Sequence, residues 1–247
     1  MKASEGFPVR LRFAKRGKVR FISHRDVARA FERSFRITQL PLAFTLGFAP
    51  RPKVSFGLAL SVGHESDAEY LDFELRRPID TDRLPDQLTA ALPAGIAVTG
   101  AVPLAARAPA LQESVTYVEY RVTVADEDDN VVRPEVLQTV ADQALASPAL
   151  YLTRTRKGRE SVDDIRPAIR TIELGQDGEG RPALELSLST QSRGARPREV
   201  LDAMSGDEVV LTERHVLRTA QWIERDGARM EPLEADTLAR THEVRAS

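Results

Sequence analysis

The side chains best suited to chemistry are basic, and they are concentrated near the start of the 247-residue chain. Residues 1–56, here called the basic quarter, carry thirteen lysines and arginines against three acids. The remaining 191 residues carry 22 basic and 34 acidic side chains. A local excess of positive charge on an otherwise acidic chain favours contact with a polyanion. The sequence therefore predicts a nucleic-acid-binding region in the basic quarter.

The predicted contact residues lie on a strand, a turn, a helix and a proline-rich loop. Cationic side chains contact the phosphate backbone, and an arginine plane also stacks on unstacked bases. In the basic quarter the candidates are Arg10, Arg12, Lys15, Arg16, Lys18, Arg20, His24, Arg25, Arg29, Arg33, Arg36, Phe48, Arg51 and Lys53. A later basic loop adds Arg154, Arg156, Lys157 and Arg159. The alternative for that loop is a surface turn whose charges pair with nearby acids.

Spacing places four of these arginines on one face of a predicted helix. The helix is expected to begin after Ser23, with Asp26 completing a capping-box variant, and to run to about Thr38. Its arginines, from Arg25 to Arg36, recur at intervals of four, four and three residues. Neighbouring like charges weaken a helix by about 0.2–0.5 kcal/mol per pair, so this face favours an anionic partner. The alternative is a solvated face, or one paired with acids elsewhere in the chain.

A stiff loop follows this helix at residues 47–53. Its glycine permits a positive φ, and its two prolines hold their neighbours in extended conformations. Arg51 and Lys53 are thereby suited to clamp a phosphate, with Phe48 near enough to stack on a base. The alternative is a plain connection between strands. Burial in the core is the favoured expectation for Phe48.

Catalytic and metal-binding patterns are sparse. The chain has no cysteine, which excludes thiolate nucleophiles, disulfides and cysteine-held clusters. His24, at the predicted helix start, is a weak candidate for a general base or a donor to phosphate, and a structural role in the first turn is favoured. No nucleotide-binding glycine motif or nucleophile elbow occurs. We expect no metal site and no cofactor.

Apolar alternation and helical stripes predict an α+β fold. Residues 9–98 indicate the order β-α-β-β-α-β of a ferredoxin-like unit, with strands expected at residues 19–21 and 54–62 among others. The second half repeats the order loosely, so we expect two ferredoxin-like halves in tandem. The predicted segments are a basic domain at 1–100, a linker at 101–112, a second domain at 113–232 and a frayed tail at 233–247.

The composition also bears on localisation. No apolar stretch approaches the roughly 20 residues of a membrane span, and the N-terminus has no apolar signal core. A chain without cysteine fits a reducing compartment. We therefore expect a cytoplasmic protein.

Several blocks of sequence are similar to one protein family. They lie at residues 20–26, 31–33, 40–43, 47–56, 69–75, 155–158, 162–163 and 165–167. Through them the chain resembles the radical SAM-associated domain-of-unknown-function family, in the stand-alone form that lacks the radical SAM domain. The family typically has a residue other than arginine between the histidine and the aspartate of the helix start. Arg25 departs from that pattern and is not treated as a family feature.

That resemblance implies an accessory role. Family members occur fused to a radical SAM protein or as separate chains, often encoded near ribonuclease E/G, which implies a role with RNA. A radical SAM enzyme holds its cluster with three cysteines, so a chain without cysteine does not perform that chemistry itself. The leading expectation is a noncatalytic RNA-binding accessory protein, acting with a radical SAM partner, and with ribonuclease E/G as a further candidate partner, in tRNA or rRNA modification or processing.

Two alternatives stay open. One is a metal-independent endoribonuclease of tandem ferredoxin-like type, which would use a histidine or lysine and the 2′-hydroxyl of RNA, a role compatible with His24. The other is a protein-interaction adaptor whose basic face docks an acidic protein. Mixing the protein with labelled RNA would separate the three hypotheses. Binding without cleavage, cleavage, or no binding would favour the accessory protein, the endoribonuclease and the adaptor respectively.

Overall fold

The chain folds as a mixture of strands and a few helices. The computed structural model describes residues 6–105, 108–156, 158–191, 194–206 and 209–235. This mixture agrees with the predicted α+β class. None of the helices in those ranges is long and apolar enough to cross a membrane.

Two compact units make up the chain. The first contains Met1–Val115 together with Gln221–Ser247, and the second contains Thr116–Ala220. The start of the second unit lies close to the predicted start at residue 113. Its end differs from the prediction, because the segment from Gln221 onward packs in the first unit.

The first unit begins with seven elements. In chain order they are β1 (Phe7–Lys15), α1 (His24–Ile37), β2 (Val54–Phe56), β3 (Glu65–Leu75), α2 (Leu84–Ala91), β4 (Ile96–Pro103) and α3 (Leu111–Ser114). The strands lie in the order β4-β1-β3, with β2 also on β3, and each of these pairs is antiparallel.

The sequence located α1 correctly and two short strands incorrectly. α1 begins after the N-cap Ser23 and ends at the C-cap Thr38. The predicted strand at residues 19–21 is instead part of a 3-10 turn, Gly17–Phe21, whose first residue has φ 70°. The predicted strand at residues 54–62 is limited to β2, Val54–Phe56.

A hydrophobic core lies between the first sheet and α1. Leu11 and Phe13 of β1 and Phe31 and Phe35 of α1 are at most 2% exposed. The rings of Phe13 and Phe31 meet edge to face, with centroids 4.8 Å apart. Full burial of such a side chain contributes about 1.5–3 kcal/mol, so this contact fixes α1 on the sheet.

The opposite face of the same sheet is covered as well. Tyr70 of β3 is 2% exposed and forms a small apolar cluster with Leu111 of α3, against which Leu233 packs. The predicted frayed tail starts at residue 233, and its first residues, up to Ala235, thus have defined contacts. The rest of that tail lies outside the described residues.

Arg10 of β1 lies beneath this cover and is fully buried. Its Nε and Nη2 donate to the two carboxylate oxygens of Asp72 at 2.7 and 2.8 Å, and its Nη1 donates to the carbonyl of Pro232 at 3.5 Å. A buried guanidinium needs such partners, because removing its charge from water costs several kcal/mol. The expectation that Arg10 faces solvent is therefore wrong.

The second unit is built around its own strands. Its elements are β5 (Tyr117–Ala125), α4 (Pro134–Ala146), β6 (Tyr151–Arg156), β7 (Arg159–Asp164), β8 (Ile169–Gln176), β9 (Pro182–Ser189), α5 (Pro197–Met204) and the first part of β10 (Thr212–Arg225). The strand order is β10-β5-β9-β8, while β6 and β7 form a separate hairpin. The last part of β10 and β11 (Ala228–Met230) belong to the first unit.

Replacing Asp72 with alanine is expected to lower the free energy of unfolding by about 3–5 kcal/mol, because the buried Arg10 guanidinium would lose its carboxylate. Urea denaturation followed by circular dichroism measures the change. Asp82→Ala, which removes an exposed carboxylate ahead of α2, should alter it by about 0.5 kcal/mol or less. Equal losses in the two variants would contradict the role given to the buried pair.

Candidate nucleic-acid interface

The N-terminus of α1 is fixed by the capping box that the sequence predicted. The Ser23 hydroxyl accepts a hydrogen bond from the Asp26 backbone N–H at 3.2 Å. In return the Asp26 carboxylate accepts from the Ser23 hydroxyl at 2.7 Å and from its backbone N–H at 3.2 Å. These bonds hold the pKa of Asp26 below its usual range. The start of the arginine-bearing helix is therefore well defined.

The four arginines of α1 are exposed, as the helical spacing predicted. Arg29 forms a 3.6 Å ion pair with Asp26, and both side chains stay at least half exposed. The other three are Arg25, Arg33 and Arg36. Their side chains form no hydrogen bond or ion pair with any described residue. The helix thus presents a positive face that the protein leaves largely uncompensated.

Lys15, at the end of β1, binds the turn that precedes α1. Its Nζ donates to the carbonyls of Arg20 at 3.1 Å and Ile22 at 3.4 Å, which holds the 3-10 turn against the sheet. Burial lowers the pKa of the Lys15 amine, and the charge of Glu69 opposes that shift. A contact between Lys15 and nucleic acid would require this turn to open.

A small cavity adjoins Lys15 and His24. Its volume of about 20 Å³ accommodates one water molecule. His24 is exposed at the first position of α1, with its ring edge-on to Phe56 at 4.9 Å. The role of His24 stays a prediction.

Carboxylates of β3 neutralise two further cations near the turn. Arg16 donates to both carboxylate oxygens of Asp67 and, at 3.3 Å, to Glu65. Glu65 also accepts from the backbone of Gly17 and lies 3.5 Å from Arg20. These cations are therefore partly compensated within the protein.

Arg12 and Lys53 also have acidic neighbours. The Nε of Arg12 lies 3.9 Å from a carboxylate oxygen of Glu231, a residue that also accepts a hydrogen bond from the Tyr70 hydroxyl. Lys53 donates to Glu74 at 2.5 Å. Neither position adds to the uncompensated charge of α1.

The proline-rich loop after α1 folds as a narrow hairpin, residues 43–53, here called the tip hairpin. The backbone N–H of Lys53 donates to Ala43 at 3.0 Å, and that of Thr45 donates to Arg51 at 2.9 Å. The base is attached to β3 by two backbone hydrogen bonds: the N–H of Ala43 donates to the carbonyl of Glu74, and the N–H of Glu74 donates to the carbonyl of Lys53. Only the far end of the loop extends away from the sheet.

The end of the tip hairpin exposes apolar side chains. Phe48 is fully exposed, and Leu46 is 86% exposed. The favoured expectation that Phe48 is buried is therefore wrong. Arg51 is exposed beside them, and within the described ranges its side chain has no ion-pair partner. Sequence reasoning missed Leu46, although the alternation of Phe44, Leu46 and Phe48 without a charged neighbour was a signal for it.

The later basic loop is placed differently. Arg154 donates to both carboxylate oxygens of Glu199 at 2.9 Å and to Asp163 at 3.2 Å. The hydrogen bonds that Arg154 donates to Glu199 raise the pKa of Arg154, and burial opposes that shift. The side chains of Arg156 and Arg159, and all of Lys157, lie outside the described part of the structure. Contacts by these three residues stay a prediction.

One set of predicted residues remains exposed without full compensation in the described chain. It comes from the turn before α1, from α1 itself and from the hairpin that follows α1. We call it the exposed basic set, and its members are Lys18, Arg25, Arg29, Arg33, Arg36 and Arg51. In the described residues, no three histidine, aspartate or glutamate side chains come together as a metal site.

The protein is of the α+β class, and its first helix presents a face of arginine side chains. A family model described as an uncharacterized protein conserved in bacteria (DUF2344) matches residues 9–197. Because that match covers more than half of the chain, the protein belongs to this family. Membership in a family of unknown function is thereby confirmed, and the radical SAM association stays a prediction.

One solved structure is similar in fold. A chain of the crystal structure of a Cbf5-Nop10-Gar1 complex superposes with a TM-score of 0.51 at 11% identity, over 88% of this chain and 49% of that one. This protein therefore spans about half the length of that chain, and at this identity the likeness concerns the fold alone. No curated protein matches the sequence.

Ser23→Ala should lower the free energy of unfolding by about 0.5–2 kcal/mol, because the first turn of α1 would lose its cap. Thermal and urea denaturation measure the loss. Ser55→Ala, at an exposed position of β2, serves as the control and should be nearly silent. A Ser23 variant as stable as the control would contradict the importance of the capping box.

Proposed function

We propose that the protein is a noncatalytic RNA-binding accessory protein that contacts the phosphate backbone through the exposed basic set. The observation that carries the proposal is the face of α1, where Arg25, Arg33 and Arg36 have no hydrogen-bond or ion-pair partner among the described residues. An uncompensated cationic face is mildly unfavourable on an isolated helix. A polyanion would remove that repulsion.

Arginine is well suited to this role. Its planar guanidinium offers paired donors to phosphate oxygens and also stacks on exposed bases. Contacts of this kind fix the position of a nucleic acid without reading its sequence. We therefore expect binding that depends on charge and RNA shape more than on base identity.

We also infer that each unit derives from a ferredoxin-like repeat. Numbered within its own half, the first sheet has the order 4-1-3-2, as β4-β1-β3-β2. The second also has the order 4-1-3-2, as β10-β5-β9-β8, when the β6–β7 hairpin is treated as an insertion. The element order β-α-β-β-α-β in each half supports the same inference.

The proposal includes a partner. The resemblance described above implies a radical SAM protein, with ribonuclease E/G as a second candidate, and tRNA or rRNA as the shared substrate. Affinity purification of the tagged chain after RNA crosslinking tests this part. Recovery of a radical SAM protein with tRNA or rRNA fragments is the expected result, and recovery of ribonuclease E/G instead would favour a processing role.

Replacing Arg33 and Arg36 with alanine is expected to weaken RNA binding and to flatten its salt dependence, by about 0.7–0.9 in log–log slope for each phosphate contact removed. For the unmodified protein, about six contacts predict a loss of about 10³-fold in affinity between roughly 50 and 200 mM salt. Fluorescence anisotropy with labelled RNA measures both quantities.

Arg198→Ala is the matched control, because Arg198 is an exposed helical arginine already paired with Asp202 at 2.9 Å. It should leave both quantities unchanged. Affinity that is weak and insensitive to salt would overturn the proposal. Cleavage of the labelled RNA, lost in His24→Ala, would instead support the endoribonuclease alternative. Binding to an acidic protein in place of RNA would support the adaptor.

A further inference from the structure

The end of the tip hairpin is the most unusual surface of the first unit. Phe48 and Leu46 project almost completely into solvent, at 112% and 86% exposure. Single exposed apolar side chains are common on protein surfaces. Two large ones at the end of a narrow loop, next to an unneutralised arginine, are a less ordinary combination. Such a group suggests a contact with another molecule.

The base of the tip hairpin is fixed by hydrogen bonds, and its end is restricted by backbone geometry. Antiparallel backbone bonds close its base, and the Arg51 backbone N–H donates to the Thr45 hydroxyl at 3.1 Å. Gly47 adopts φ 133° between the two apolar residues, a conformation that other residues rarely adopt. Pro50 and Pro52 restrict the other side of the loop. A rigid loop loses little conformational entropy when it is inserted into a partner.

The charge of the tip hairpin favours a polyanionic partner. Residues 43–53 contain no acid. At the base, Lys53 is neutralised by Glu74, whereas Arg51 near the end has no ion-pair partner within the described chain. The positive charge of the hairpin is therefore greatest beside Leu46 and Phe48, on the chain segment that follows the arginines of α1.

The size of the tip argues against a stable protein interface. A fully buried aromatic side chain covers about 150–250 Å², whereas a standard protein interface buries about 800 Å² on each partner. Two apolar side chains alone fall well short of that area. They are sufficient for insertion between two bases, where proteins commonly use phenylalanine or leucine as a wedge.

We infer that Phe48 and Leu46 form a wedge that enters a stacked base step in the paired stem of a structured RNA, while Arg51 contacts the adjoining phosphate. This inference rests on the proposed RNA-binding function and specifies its substrate class. The arginines of α1 bind the phosphate backbone of the RNA, and the wedge separates the two stacked bases of one step. A stem with a weakly stacked step is the preferred ligand, because opening that step costs least.

The test uses the full chain and a synthetic RNA hairpin that carries 2-aminopurine, a base whose fluorescence rises when it is unstacked, at successive steps of its stem. The unmodified protein should raise the fluorescence at one step. Phe48→Ala should abolish that rise and weaken binding by about 5- to 150-fold, as expected for the loss of one base–aromatic contact. Because Phe48 is exposed, the melting temperature should not change.

Phe21→Ala is the matched control, since Phe21 is a 62% exposed aromatic residue outside the tip hairpin. The Phe21 variant should still raise the fluorescence of the RNA. Phe48→Trp, which keeps an aromatic ring at the position emptied in Phe48→Ala, should raise it as well. RNA bound with salt dependence but without any fluorescence change would overturn the wedge and leave the proposed function standing. No RNA binding at all would overturn both.

Two further outcomes would also overturn the wedge. An unpaired strand of the same sequence, bound as tightly and with the same dependence on Phe48, would assign the tip to stacking on bases that are already open. Phosphatidylglycerol vesicles bound by the unmodified protein and not by Phe48→Ala, without a fluorescence change in RNA, would assign the tip to a lipid surface.

Discussion

Charge pairing around β1 is the interaction on which the first unit depends. Its two arginines, Arg10 and Arg12, occupy the face away from the main core, and that face is largely covered. Arg10 is compatible with such burial because Asp72, directly opposite on β3, accepts two hydrogen bonds from it. Asp67 likewise accepts two hydrogen bonds from Arg16, whereas Arg12 only lies near Glu231, with its Nε 3.9 Å from a carboxylate oxygen. Within the basic quarter, the positive charge that remains exposed without full compensation lies on the turn before α1, on α1 and on the tip hairpin.

The features predicted correctly from sequence are those determined by neighbouring residues. The start of α1 follows from a serine and an aspartate three residues apart, and both hydrogen bonds of the capping box form. The exposure of its arginines follows from helical spacing against the buried Phe31 and Phe35. The alternation in β1 likewise located the core residues Leu11 and Phe13. In each case the information lies within about four residues along the chain.

The features that escaped prediction depend on residues far apart in sequence. Nothing local distinguishes the buried Arg10 from an exposed arginine, because its carboxylate partner is 62 positions away. The exposure of Phe48 depends on where the base of the hairpin is attached to β3, which the sequence around Phe48 does not determine. In the first unit, the side-chain amide of Gln221 donates a hydrogen bond to the carbonyl of Ala68, 153 positions earlier.

The contact between Arg10 and Pro232 has a consequence for biosynthesis. These residues lie 222 positions apart, and a ribosome adds about 5–20 residues per second. The first strand therefore waits roughly 10–40 s after its own synthesis before the segment that completes its cover is available. During that interval the nascent chain exposes Tyr70 and Leu111 without Leu233. Until then this apolar surface lacks part of its cover, so the nascent chain stays accessible there to chaperones that recognise apolar groups.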